Sequence, residues 1–270
     1  MGIRKRVRKG KGRDEAIEAV RVRLAKGKTK GAIALAKEIV AAFPEHGPGF
    51  RLLGDAFLDA GNPIRAISAY RRARELDSTD TGAALNLGIA LRQAGALGQA
   101  IDLYRQVLAA EPDAADAHCC LANALRARGD LHGAIEEYRT TLRLDPGNLV
   151  APNNLGLTLY DLGRYDEAEA TWRAAITRFP GDADLHRNLG AVLTEKGRTR
   201  AAARAYAKAV RLRPDVPEAW FFLGQLREEK GKWRKAARAY RRALKADPNH
   251  ADARERLIKL GKRADSKKAP

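Results

Sequence analysis

The sequence predicts an all-α protein, a solenoid of stacked helix-turn-helix hairpins, on three observations. A set of small, apolar and aromatic residues recurs every 34 positions along most of the 270-residue chain. Glycine and proline punctuate that period at fixed offsets. Ala and Leu, both strong helix formers, dominate an apolar fraction of 45%, while aromatics make up only 6%.

The columns explain the elements in chain order. Leucine stands at Leu53, Leu87, Leu121, Leu155, Leu189 and Leu223. The next residue is Gly54, Gly88, Ala122, Gly156, Gly190 or Gly224. This pair lies on the face of a first helix where a second helix must come close. Seven residues on, Gly61, Gly95, Gly129, Gly163, Gly197 and Gly231 supply the permissive backbone that ends the first helix. The second helix carries Ala66, Ala100, Ala134, Ala168, Ala202 and Ala236 at the expected crossing. Four residues later come Tyr70, Tyr104, Tyr138, Trp172, Tyr206 and Tyr240, on the same face and expected to fill the space between neighbouring units. Pro112, Pro146, Pro180, Pro214 and Pro248 close the unit, with Ser78 as the exception, because proline cannot continue a helix interior.

This pattern resembles the tetratricopeptide repeat, and the likeness runs over residues 13–250. The resemblance implies seven units, 13–46, 47–80, 81–114, 115–148, 149–182, 183–216 and 217–250, wound into a right-handed superhelix. The first is degenerate, with Val20 in place of the glycine and Ala36 in place of the aromatic. Residues 251–263 read as a capping helix with a charged outer face, and residues 1–12 and 264–270 as basic tails.

A superhelix of this kind presents a concave groove lined by the first helices. The family's groove positions fall here on Arg51, Asp55, Arg92, Asn123, Arg126, Asn153, Tyr160, Arg187 and Gln225. That mixed, hydrogen-bonding set suits an extended or helical segment of another protein. Chaperone-binding members clamp a carboxylate with Lys, Asn and Arg at two positions of three consecutive repeats. Asp55, Leu85, Ile89, Leu157 and Ala191 interrupt every such triplet in this chain. Asn86, Asn154 and Asn188 resemble the asparagine ladder that grips peptide backbone in the repeat region of O-linked N-acetylglucosamine transferases, although no glycosyltransferase domain follows. Leu52, Cys120 and Phe222 break that ladder, and an asparagine near a helix start also makes local backbone bonds.

The formal charge is +18. Residues 196–213 hold seven Lys or Arg and no acid, and residues 230–245 hold eight and no acid. The alternative function is therefore docking through this basic C-terminal face and the tails to an anionic partner: acidic protein, nucleic acid or membrane surface. No recognised nucleic-acid motif accompanies it.

Catalysis is not expected, nor any cofactor or metal. The fragment Lys26–Thr29 lacks the earlier glycine of a phosphate loop, since Val22 stands there. His118 and His186 share one column and are expected to pack against the second helix. No His, Cys and carboxylate group has ligand spacing. Adjacent Cys119 and Cys120 diverge by about 100° on a helix, so no disulfide is expected and a reducing, cytoplasmic setting fits. The basic N-terminus has no apolar run behind it, so it is not read as a secretory signal, and no stretch is apolar enough to span a membrane.

Overall fold

The computed structural model describes Lys5, Val7 and residues 12–266, with side chains as far as Gly261. The remainder of the basic tails lies outside the described residues. Fifteen α-helices account for nearly all of it: α1 (Arg13–Ala25), α2 (Thr29–Ala42), α3 (Gly47–Asp59), α4 (Pro63–Leu76), α5 (Thr81–Gln93), α6 (Leu97–Ala110), α7 (Ala115–Arg128), α8 (Leu131–Leu144), α9 (Ala151–Asp161), α10 (Tyr165–Arg178), α11 (Ala183–Glu195), α12 (Thr199–Leu212), α13 (Pro217–Glu229), α14 (Trp233–Ala246) and α15 (Ala251–Ser266). No strand occurs among the described residues. The odd-numbered helices are the first helices of the hairpins.

The chain divides into two compact units, residues 1–147 and 148–270. In unit 1, α1 to α8 form four hairpins, each second helix packing on the first helix of the next. In unit 2, α9 to α14 form three hairpins stacked in the same way, and α15 packs on α14. The seal of α15 is apolar: Ala253 and Leu260 join Phe221, Ala236, Tyr240 and Ala243 in one cluster. The helix runs three residues past the Arg263 boundary read from the sequence.

The turns between paired helices follow from backbone chemistry. Gly61 has φ +68° and Gly129 φ +90°, in the left-handed region that glycine enters without cost. Gly61 N–H donates to Leu58 O at 2.9 Å and Asn62 N–H to Phe57 O at 2.9 Å, satisfying carbonyls that the ending helix orphans. Asn62, Asp80, Asp130 and Asp182 then cap the helices that follow through their side-chain oxygens.

The expected alanines at the crossings, Ala66 through Ala236, are all fully buried. The aromatics meet two neighbours. They reach the next unit, where Tyr206 stacks on Phe222 and Tyr240 joins Ala253 and Leu260 of α15, and they also lie over the small residue of their own first helix, which spacing along the sequence does not place. A Cβ added to Gly88 would stand 2.3 Å from Tyr104, one on Gly156 2.4 Å from Trp172, and one on Gly224 2.5 Å from Tyr240. The glycine leaves a slot one ring deep, and the ring fills it.

Candidate functional site

All twelve residues expected in the groove lie on first helices. In unit 1 these are Arg51 and Asp55 on α3, Asn86 and Arg92 on α5, and Asn123 and Arg126 on α7. Several are engaged with the protein itself. Arg51 Nη1 donates to both carboxylate oxygens of Asp80, at 2.9 and 3.0 Å, and Asp80 in turn caps α5. Asp55 Oδ1 accepts from the Tyr70 hydroxyl at 2.7 Å and from Asn86 Nδ2 at 3.0 Å. Burial raises the Asp55 carboxyl above its ordinary range, and the Tyr70 bond, Arg51 and Asn86 oppose that shift. Asn123, two repeats further on in the Asp55 column, accepts from Tyr138 at 2.7 Å. Arg92 and Arg126, half-buried and one repeat apart, supply the cationic character of this face.

Unit 2 carries Asn153, Asn154 and Tyr160 on α9, Arg187 and Asn188 on α11, and Gln225 on α13. Asn188 is buried and donates through Nδ2 to Asn153 Oδ1 at 2.7 Å. The Tyr160 hydroxyl donates to Glu195 at 3.3 Å, and its ring lies 5.3 Å from Tyr165. Arg187 pairs with Asp184 at 3.4 Å. Gln225 borders a depression of about 310 Å³ with Glu228, Glu229, Trp233 and Arg256.

The asparagine column thus behaves differently from a set of local backbone caps. Asn86 and Asn188 each reach back one repeat to a side chain on the preceding first helix. These bonds also show that the columns of successive first helices stand side by side within each unit.

Three features escaped the repeat columns. Phe222, read only as a gap in the ladder, is 38% exposed and stacks on Tyr206 with centroids 5.6 Å apart. Glu169 on α10 is buried and accepts from Arg173 at 2.8 Å, Lys196 at 2.6 Å and Arg198 at 2.7 Å. Burial works to raise its carboxyl; the bonds from Lys196 and Arg173 and the charges of Lys196 and Arg198 outweigh it and hold the group at about 2. The third is a clip on the turns. His118 Nε2 donates to Pro112 O at 2.9 Å, His186 Nε2 to Pro180 O at 3.1 Å, and Trp220 Nε1 to Pro214 O at 2.8 Å. His118 also packs on its second helix, its Nδ1 lying 2.6 Å from Glu137 on α8, and both histidines tie the preceding turn.

Both thiols are free, and burial pushes Cys119 up to about 12 and Cys120 up to about 11. Neither is an activated nucleophile. Among the described residues no group of three or more His, Cys, Asp or Glu could hold a metal ion, and no helix is long and apolar enough to cross a membrane.

Stacked hairpins whose polar columns brace one repeat against the next define a helical-repeat scaffold. The chain belongs to the tetratricopeptide repeat family, whose models match residues 17–81, 85–148, 193–251 and 223–261, and also 148–215. Such a domain is generally a protein-interaction module. No curated protein sequence matches the chain. Among solved structures it is similar to PilF of Pseudomonas aeruginosa, at 28% identity and TM-score 0.62 over 69% of this chain and 85% of that one. A repeat protein of Parabacteroides merdae shares the fold at 19% identity and TM-score 0.65, over 92% and 98% of the two chains. So does YrrB, described as having an unusual peptide-binding site, at 21% identity and TM-score 0.57 over 70% and 97%.

Proposed function

We propose that this chain is a cytoplasmic adaptor that binds an extended or helical segment of another protein on the faces made by its successive first helices. In unit 1 the segment lies along α3, α5 and α7, with Arg92 and Arg126 as the charged contacts. In unit 2 the anchor is Phe222, an exposed ring beside the half-buried Gln225, of the kind that dominates interface energetics.

The observation that carries this reading is the pair of bonds from Asn86 to Asp55 and from Asn188 to Asn153. They support a row of aligned columns, so a bound segment meets similar positions repeat after repeat. Asn86 and Asn188 act as braces in this reading, each donating one amide N–H to the preceding first helix.

The reading is tested by selecting peptides on the wild-type chain from a random display library. Selected peptides should lose at least tenfold in affinity for the variants Arg92→Ala/Arg126→Ala or Phe222→Ala. Selected peptides that bind both variants undiminished, or a library that yields none above an unrelated protein, would overturn it.

A further inference from the structure

The strongest feature left over lies on the opposite partners of the hairpins, in unit 2. On α12, Arg200, Arg204, Lys208 and Arg211 follow one another at offsets of four, four and three, so they share one helix face over about 16 Å. On α14 the residues 34 positions later are Arg234, Arg238, Arg242 and Lys245. The two stripes therefore match position by position. All eight are exposed except Lys208, which is half-buried. None makes a hydrogen bond or ion pair through its side chain among the described residues, and neither helix contains an acid.

The fold does not require cations here. The same four columns on α10 hold Asp166, Ala170, Ala174 and Thr177. The α12 stripe borders a concavity: a depression of about 460 Å³ at the start of α12 is lined by Arg200 and Arg204 together with Arg198 and Lys230. No side chain caps α12 there and no acid lies in its first turn, so its positive end adds to the charge of the depression.

We infer that the α12 and α14 stripes form a docking face for the phosphate backbone of duplex nucleic acid, read without regard to base sequence. Charge complementarity names the polyanion, and what lies between the cations narrows it. Ala203, Ala207, Ala237 and a further cation, Arg241, are the intervening side chains, so the face has none of the aromatic or aliphatic anchors on which a protein interface turns. A membrane-docking surface pairs its cations with Trp, Phe or Leu, and among the described residues the exposed large apolar side chains all lie off α12 and α14. Tyr206 and Tyr240 are buried beneath the stripes, which removes the stacking platform that single strands use. A duplex asks only for fixed cations opposite fixed phosphates.

The test is fluorescence anisotropy of a labelled DNA duplex with the full chain across a salt series from about 50 to 200 mM, where counterion release is steep. Arg204→Ala/Lys208→Ala/Arg238→Ala/Arg242→Ala should weaken binding at least tenfold and flatten the log–log salt slope by about 3–4, at about 0.9 for each phosphate no longer neutralised. Arg71→Ala/Arg105→Ala/Arg128→Ala/Arg143→Ala removes as much charge from exposed sites in unit 1 and should change affinity less than threefold. Circular dichroism confirms that both variants are folded. Equal losses in the two variants would reduce the effect to net charge and overturn the proposal. So would absence of duplex binding at the lowest salt. Stripe-dependent binding confined to vesicles of phosphatidylserine and phosphatidylcholine would assign the face to a membrane, and equal competition by polyglutamate would assign it to an acidic protein; either result overturns the duplex reading.

Discussion

The ring of Tyr104 lies so close over Gly88 that a Cβ on that glycine would stand 2.3 Å from its Cε1. Two effects compete in Gly88→Ala. Overpacking costs about 1–3 kcal/mol, while replacing a mid-helix glycine returns up to about 1 kcal/mol of helix propensity. Ala122, in the same column beside Tyr138, shows that a hairpin built around a methyl is possible, so the net loss should stay near 0.5–2 kcal/mol. The control is Gly98→Ala on α6, where nothing lies within 4 Å of the added carbon. That change should stabilise by about 0.5–1 kcal/mol. Denaturant titrations of the two variants should shift in opposite directions; shifts of one sign would mean that the ring does not occupy the slot.

Glu169 joins repeats through charge. Glu169→Gln removes the acceptor charge for Lys196, Arg173 and Arg198 and should cost about 1–3 kcal/mol at neutral pH. Its folded carboxyl sits at about 2, below the ordinary 4.5, so the stabilisation is fully present above about 4.5 and is lost as pH falls toward 2. Unfolding titrations across that window should show the gap between variant and wild type closing. A gap independent of pH would contradict the network.

Asp55 works in the opposite sense. Its folded carboxyl is raised above 3.8, chiefly by burial, so ionising it at neutral pH weighs against the fold. Asp55→Asn keeps an oxygen for Tyr70 and Asn86 and reproduces the Asn123–Tyr138 pair two repeats further along the column. The variant should match or exceed the wild type by up to about 1 kcal/mol at pH 7. The advantage should disappear as pH falls below the raised titration of the carboxyl. A loss greater than about 1 kcal/mol at neutral pH would show that the ionised carboxylate is needed, with Arg51 the first suspect.

What the sequence made legible was whatever the stack demands of every repeat. The Leu-Gly pair, the turn glycine and the buried alanine recur because each hairpin meets the same steric problem, and the helices fall where those columns place them. The aromatic was legible as a residue and in its reach toward the next unit; its seat over the small residue of its own first helix was not, because spacing along one helix states which face a ring occupies and not every neighbour it meets. Glu169, the Arg51–Asp80 pair and the asparagine bonds were illegible for a different reason. They join residues 27 to 35 positions apart through side chains that change from one repeat to the next, and their geometry emerges only when the helices are docked. Phe222 was visible as a break in a column, yet its exposure belongs to the packed surface.

The claim that supports the binding face is that the polar columns of successive first helices stand side by side and in contact. A double-mutant cycle on Asn188→Ala and Asn153→Ala measures that directly, as the coupling left after the two single losses are subtracted. The 2.7 Å bond between them predicts a coupling of about 0.5–1.5 kcal/mol. Strictly additive losses would contradict the aligned columns and, with them, the face on which a partner is proposed to lie.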